Sequence, residues 1–190
     1  MSIKIKQYCL SLWAIFDPLY FRLTRLHQIE KKSGDKTIIR IRLTRYKGRK
    51  LILADGTIIH RNDLLLKIHL HNVKLLNQIQ GHSEMRKALI LYRSVQESLP
   101  YISRYLQIHD YANNIKGLIG ITMLYKGCRK LGFETFPIQN QYYKFFKQVA
   151  HSPIYLLSSN KVFHKAYPSP MYLLMSKNRL LHHSTCSPIR

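Results

Sequence analysis

Hydrophobic and polar positions along this chain change period several times, and each change marks a predicted element. From residue 37 to 46 they alternate. Ile39, Ile41 and Leu43 fall on one face and Arg40, Arg42 and Thr44 on the other, which predicts a half-buried strand with a basic outer row. Residues 48 to 72 carry the clearest local signal. Asp55-Gly56 is a tight-turn pair, because glycine reaches positive φ without steric cost, so residues 51–53 and 57–59 predict a hairpin. Arg61-Asn62-Asp63 predicts a second turn, and residues 64–70 a third strand ending in a polar cluster of His69, His71 and Asn72.

Beyond this meander the period lengthens. Ser83 is placed to cap a helix whose apolar stripe is Met85, Ala88, Leu89, Tyr92, Val95 and Leu99, with Glu84 in the first turn where the helix dipole favours an acid. Pro100 predicts a kink or restart, with Ile102 and Leu106 continuing the face. Residues 115–121, 122–131 and 133–136 read as strand, helix and strand, with Gly132 as a left-handed stop. Asn140 caps a basic aromatic helix of Tyr142, Tyr143, Phe145, Phe146 and Val149 with Lys144 and Lys147 between them, limited by Pro153. Residues 171–175 form the last strand, and Ser176 caps a short helix through Leu181.

At the other end, residues 7–16 are dense in large apolar groups. Asp17 caps a second helix with Pro18 at its first position, and Leu19, Tyr20, Leu23 and Leu26 recur along it. Lys4 and Lys6 precede an apolar run shorter than the ~20 residues of a spanning helix and lacking a small-residue cleavage pattern, so a surface-lying or core-docked helix is expected, not a signal peptide. The sum is a single-domain α+β fold: an antiparallel meander followed by helices and further strands. Its expected parts are an N-terminal helical segment (1–31), the α+β domain (37–181) and a frayed tail (182–190).

Composition adds one strong constraint. The 190 residues include 31 Lys and Arg against 9 Asp and Glu, a formal net charge of +22, and 46% are hydrophobic. A folded, strongly basic chain favours an anionic partner: nucleic acid, phospholipid headgroups or an anionic envelope polymer. Arg40, Arg42, Arg45, Lys47, Arg49 and Lys50 crowd the hairpin region, and Lys144 and Lys147, with Lys161 and Lys165, form a second basic group. With so few acids, mechanisms built on paired carboxylates are disfavoured. Cys9, Cys128 and Cys186 are odd in number and far apart, which fits a reducing compartment and no disulfide framework.

His69 and His71 lie two apart on a strand and so face one side, but no further ligand follows at metal-binding spacing. The structural reading has His69 hydrogen-bonded at a strand end and His71 solvated, with Asn72 tying down backbone. No metal and no cofactor is expected. Nucleophile-elbow, phosphate-loop and dinucleotide signatures are missing, and Gly117 and Gly120 make only a lone Gly-x-x-Gly. The best candidate ligand site joins Asp63, His69 and Asn72 with Thr122 and Ser176, all at strand ends, where ligand sites often gather.

The ordered succession of Asp17-Pro18-Leu19-Tyr20, Leu23-Thr24-Arg25, Asp55-Gly56, Asp63, residues 66–72, Gly120-Ile121-Thr122, residues 131–134 and Met175-Ser176 resembles the YkoP-like domain family. That family occurs as a stand-alone bacterial protein and as a C-terminal domain after polysaccharide deacetylases. It often has Gly before the acid at Asp63 and Trp before the Met-Ser, where this chain has Asn62 and Leu174. The resemblance implies a module accompanying cell-envelope polysaccharide or glycolipid work.

The functional expectation is an accessory module without catalytic machinery that binds an anionic envelope polymer or lipid surface, cytoplasmic and peripheral to the inner face of the membrane. A nucleic-acid-binding protein is the alternative that charge alone supports. An acyl-CoA-dependent transferase is a third, because residues 120–136 are similar to the last helix and strand of acetyl-coenzyme A-dependent N-acyltransferases.

Overall fold

The computed structural model describes residues 11, 15, 17–19, 21, 22, 24–125, 127–158 and 168–185, the last six of 141–158 and the last three of 177–185 by backbone alone. Its centre is a six-stranded sheet. In chain order the strands are β1 (His27–Glu30), β2 (Lys36–Arg45), β5 (Leu64–Leu70), β6 (Ile115–Thr122), β7 (Glu134–Pro137) and β8 (Met171–Ser176), and β3 (Leu51–Ile52) and β4 (Ile58–Ile59) form a separate hairpin. The spatial order is β1-β2-β5-β6-β8-β7. Neighbours are antiparallel except β5 and β6, which run parallel.

Both faces of the sheet are covered, and the sequence of β5 records it. Leu66 joins Ile39, Ile41, Leu118 and Met175 against the long helix α2 (Glu84–Ile108), which contributes Leu99, Ile102 and Leu106. Leu65 faces the other way, into a second core of Tyr46, Leu53, Ile59, Ile119 and Leu174 beneath the β3–β4 hairpin. The hairpin is pinned by polar contacts at its tip. The Ser176 hydroxyl donates to Asp55 Oδ2, and the Ala54 N–H donates to the Glu134 carboxylate at 3.0 and 3.1 Å. Gly56 takes φ 81° in the turn, as the Asp-Gly signal requires.

Packing on two faces explains several departures from the expected pattern. The second N-terminal helix ends by Thr24. Arg25 takes φ 49°, and Leu26 leads into β1 within the segment expected to be helical. Residues 72–79 form a helix, α1 (Asn72–Ile79), that buries Leu75, Leu76 and Ile79; His71 caps it, its Nδ1 accepting from Lys74 N–H at 3.4 Å. His71 is therefore half-buried and bonded, not solvated. In α2, Ser83 caps as expected, accepting from Arg86 N–H at 3.4 Å, but the helix passes through Pro100 without a break. Met85 and Leu89 are exposed, because only the second half of α2 lies over the sheet.

Further on, the helix expected at 122–131 is a single 3-10 turn, Cys128–Leu131, held between left-handed Gly127 and Gly132. Asn140 does cap α3 (Gln141–Ser158), accepting from Tyr143 N–H at 2.9 Å, yet the helix continues past Pro153. The final helix, α4 (Lys177–Thr185), is capped by Ser176 Oγ at 3.1 Å from Arg179 N–H and outlasts the expected stop at Leu181. The expectations for residues 1–10, 161, 165 and 186–190 lie outside the described residues.

Candidate functional site

β5 and β6 diverge toward their C-terminal ends. Their ladder runs from Leu64–Ile115 to Lys67–Ile119 and stops, while β5 stays on β2 to Leu70 and β6 stays on β8 to Thr122. After β5 the chain turns into α1 and α2; after β6 it passes through β7 to α3, whose Tyr143, Lys147 and His151 approach the opposite face of the sheet. A crevice where successive connections leave on opposite faces is where open sheets of this kind take ligands. Here it holds a cavity of about 1210 Å³ walled by β5, β6, α1, α2 and α3.

Three of the five expected ligand residues, His69, Asn72 and Thr122, line this cavity. Asp63 and Ser176 lie at the other end of the sheet. β5 starts just after Asp63, and Ser176 pairs with Gly117 because β8 runs antiparallel to β6. Their polar atoms have local uses. Asp63 Oδ2 accepts from His60 N–H at 2.8 Å, and Ser176 caps α4 while donating to Asp55. Burial raises the Asp55 pKa, but the bonds from Ser176 and Thr57 outweigh it and leave the carboxyl below its ordinary value.

The expected basic group around the hairpin also divides. Arg45, Lys47, Arg49 and Lys50 are exposed, Arg45 donating to Asn62 O at 3.3 Å and Lys47 to Asn62 Oδ1 at 3.2 Å. Arg40 is buried. Its guanidinium forms a two-pronged ion pair with Asp17 at 2.8 and 2.5 Å and lies 4.8 Å from the Phe21 ring. Asp17 thus sits inside a helical turn as an ion-pair partner instead of a cap, and the outer row of β2 is not a solvated face.

Arg42 does not line the cavity but stands behind its cationic side, where its charge acts on Lys67, His69 and Lys147. The register of β2 and β5 sets Arg42 opposite Lys67 and Arg40 opposite His69. α3 adds Lys147, half-buried like Lys144, and His151. The nine acids of the chain are all described, and the two in the cavity wall have cationic partners of their own, Asp17 bonded to Arg40 and Glu84 to Lys87 at 3.1 Å. Among the described residues, Arg42 Nε and His69 Nε2 are buried without a hydrogen-bond partner. His69 is therefore not the bonded strand-end residue expected, because the groups around it are other cations.

This crowding shapes the protonation states. Burial, with Lys147 and Arg42 nearby, pulls Lys67 down to about 8. Burial and the charges of Lys67, Arg42, Lys147 and His151 pull His69 down to about 3, and burial with Lys147 and Lys67 pulls His151 down to about 4. Both imidazoles are neutral near pH 7. Lys147, also lowered by burial and Arg42, has its ammonium 5.2 Å from the Tyr143 ring and 5.7 Å from the Phe146 ring. Cys128 in the apolar wall is pushed by burial to about 11, so it is a thiol and no nucleophile.

Sequence reasoning missed Lys67 and His151. The alternation Leu65, Lys67, His69 on one face of β5 carried the signal for Lys67, but its meaning depends on the register with Arg42. His151 is brought in by a helix whose position over the sheet leaves no mark in local sequence.

The fold and this cleft define a class: an α+β domain on a mixed sheet, with a cation-lined cavity where its parallel strands part. The chain belongs to the YkoP domain family, which it matches over residues 6–184. It is 44% identical over 172 residues to the protein named "Uncharacterized protein YkoP" of Bacillus subtilis strain 168, covering 90% of this chain and 93% of that one. No solved structure matches. Both family departures have a structural reading. Asn62 takes φ 72°, a left-handed conformation that asparagine tolerates nearly as glycine does, and Leu174 is fully buried in the core beneath the hairpin.

Proposed function

We propose that the protein is a non-catalytic binding module for an anionic lipid component of the cell envelope, working at the cytoplasmic surface of the membrane. The observation that carries this reading is the orientation of α3. Its Lys147 and His151 turn toward the sheet, while Tyr142, Phe145, Phe146 and Val149 are 89%, 69%, 64% and 56% exposed. These four recur at helical spacing, so they form one apolar, largely aromatic stripe facing outward. Aromatic groups on a basic protein suit the headgroup level of an acidic bilayer, where the rings bury apolar surface and the net charge of +22 supplies attraction. Among the described residues no helix is long and apolar enough to cross a membrane, which is compatible with a peripheral position.

The transferase alternative drew on a helix at 122–131, and the chain forms only a 3-10 turn there. The nucleic-acid alternative is decided by the same experiment as the lipid reading. Sedimentation with phosphatidylglycerol vesicles, phosphatidylcholine vesicles and duplex DNA, over a salt series, is compared for the wild type and for the double variant Tyr142→Ser, Phe145→Ser. The expected result is binding to the acidic vesicles alone among the lipids, weakened at least about tenfold in the variant. Tighter binding to DNA than to vesicles, or no loss in the variant, overturns the reading.

A further inference from the structure

Among the described residues, the cavity's cationic groups are left without a negative partner. Arg42 and Lys67 are like charges placed directly across an antiparallel ladder, a destabilising juxtaposition. Lys147 is brought down on them from α3, since its charge acts on Lys67 and Arg42's acts on it. Burying a charge without a partner is costly, and a buried polar hydrogen left unbonded is costly too. Among the described residues, Arg42 Nε and His69 Nε2 are both buried without partners at this point. The nine acidic side chains are all described, and no ion pair among the described residues joins one to Arg42 or Lys67; the two in the cavity wall, Asp17 and Glu84, are bonded to Arg40 and Lys87.

The rest of the cavity is of a different kind. Leu76, Ile79, Leu91 and Met123 are among the apolar residues of its wall, and the volume of about 1210 Å³ exceeds what a small anion fills. It is also above the range of about 300–1,000 Å³ usual for a drug-sized ligand. A site with one cationic end and a long apolar body matches an amphiphile.

We propose that this cavity binds a single lipid-like molecule through a phosphate monoester head, held by Lys67, His69, Lys147 and His151 with the Arg42 charge behind them, and with its apolar tail between the sheet and helices α1 and α2. A phosphate monoester fits better than a carboxylate because it carries up to two negative charges and presents tetrahedrally arranged oxygens to donors from β5 and α3 at once. This inference rests on the proposed lipid reading for the source of the ligand, and not for the site, which needs no bilayer. A bound dianion would also raise the proton affinity of the two imidazoles, adding donors as the head enters.

The test uses the full chain and soluble probes below their micelle concentration, so that no membrane is involved. Calorimetric titrations compare dihexanoyl phosphatidic acid, dihexanoyl phosphatidylcholine and inorganic phosphate. The expected result is saturable binding of phosphatidic acid, at least about tenfold weaker binding of inorganic phosphate, and none of phosphatidylcholine. Lys67→Met and His151→Gln should each weaken phosphatidic acid at least about tenfold without lowering the Tm, while Lys116→Met, at an exposed position of β6 outside the cavity wall, leaves it unchanged. Affinity should decline as pH rises through 8, where Lys67 loses its charge; the groups facing it are Arg42 on β2, His69 on β5, and Lys147 and His151 on α3. Equal binding of phosphatidylcholine, or wild-type affinity in Lys67→Met, overturns the site. Inorganic phosphate binding as tightly as the amphiphile overturns the tail. Failure of vesicle sedimentation with success here removes the surface reading alone.

Discussion

Arg42 on β2 and Lys67 on β5 face one another across adjacent antiparallel strands, and among the described residues no ion pair joins either to an acid. Like charges so placed oppose folding. Removing one of the two charges should therefore stabilise the empty protein, contrary to the usual effect of altering a partly buried residue.

Lys67→Met tests this directly. Lys67 is lowered from 10.5 to about 8, so between those values the unfolded chain holds a proton that the folded chain has lost. Stability linked to this group is fully present above pH 10.5 and is lost as pH falls through about 8. At pH 7 the variant should be more stable than the wild type by on the order of 1–2 kcal/mol, and the gain should vanish above pH 10.5. Urea unfolding at pH 7, 9 and 10.5 measures the difference; a variant less stable at pH 7 would refute it.

Arg40 and Asp17 are the contrasting case, a buried charge with its partner in place. Asp17→Asn leaves the guanidinium buried and half-satisfied, and should cost about 3–5 kcal/mol. The double variant Asp17→Leu, Arg40→Met removes both charges and should recover most of that loss, because apolar groups of similar size fill the site without desolvating an ion. A double-mutant cycle from denaturant midpoints checks it. Additive losses would mean that the pair, 2.8 and 2.5 Å long, is not the reason Arg40 tolerates burial.

These two pairs also show where the sequence was legible and where it was not. Local signals were read well: Asp55-Gly56 gave the hairpin, Ser83, Asn140 and Ser176 cap the helices after them, and the strand at 64–70 has the bounds set by the turn before it and the polar cluster at its end. What alternation could not tell was that the polar face of β2 is covered. Arg40 and Arg42 look like a solvated row until Asp17 and α3 are placed over them by contacts from 23 to about a hundred residues away. The same non-local step separated Ser176 from Thr122, since one antiparallel pairing sends the two ends of β6 to opposite sides of the sheet. Among the site residues, His69, Asn72 and Thr122 could be found because they lie at or just past strand ends, and Lys67 and His151 could not.

His69 and His151 should set the acid limit of the empty protein. Their imidazoles are held neutral by burial and by the cations of β2, β5 and α3, His69 down at about 3 and His151 at about 4 against an ordinary 6.5. Between 6.5 and those values the unfolded chain takes up protons that the folded chain refuses, so the stability from neutral histidine is present above 6.5 and lost as pH falls toward 4. Each can contribute about 1.4 kcal/mol per pH unit in that window. The double variant His69→Gln, His151→Gln should show a flatter decline in urea midpoint from pH 7 to 4.5. A bound phosphate amphiphile should flatten it in the wild type as well, because a dianion beside the imidazoles lets the folded state accept the same protons. If the ligand stabilised the protein equally at every pH, the histidines would not be touching its head.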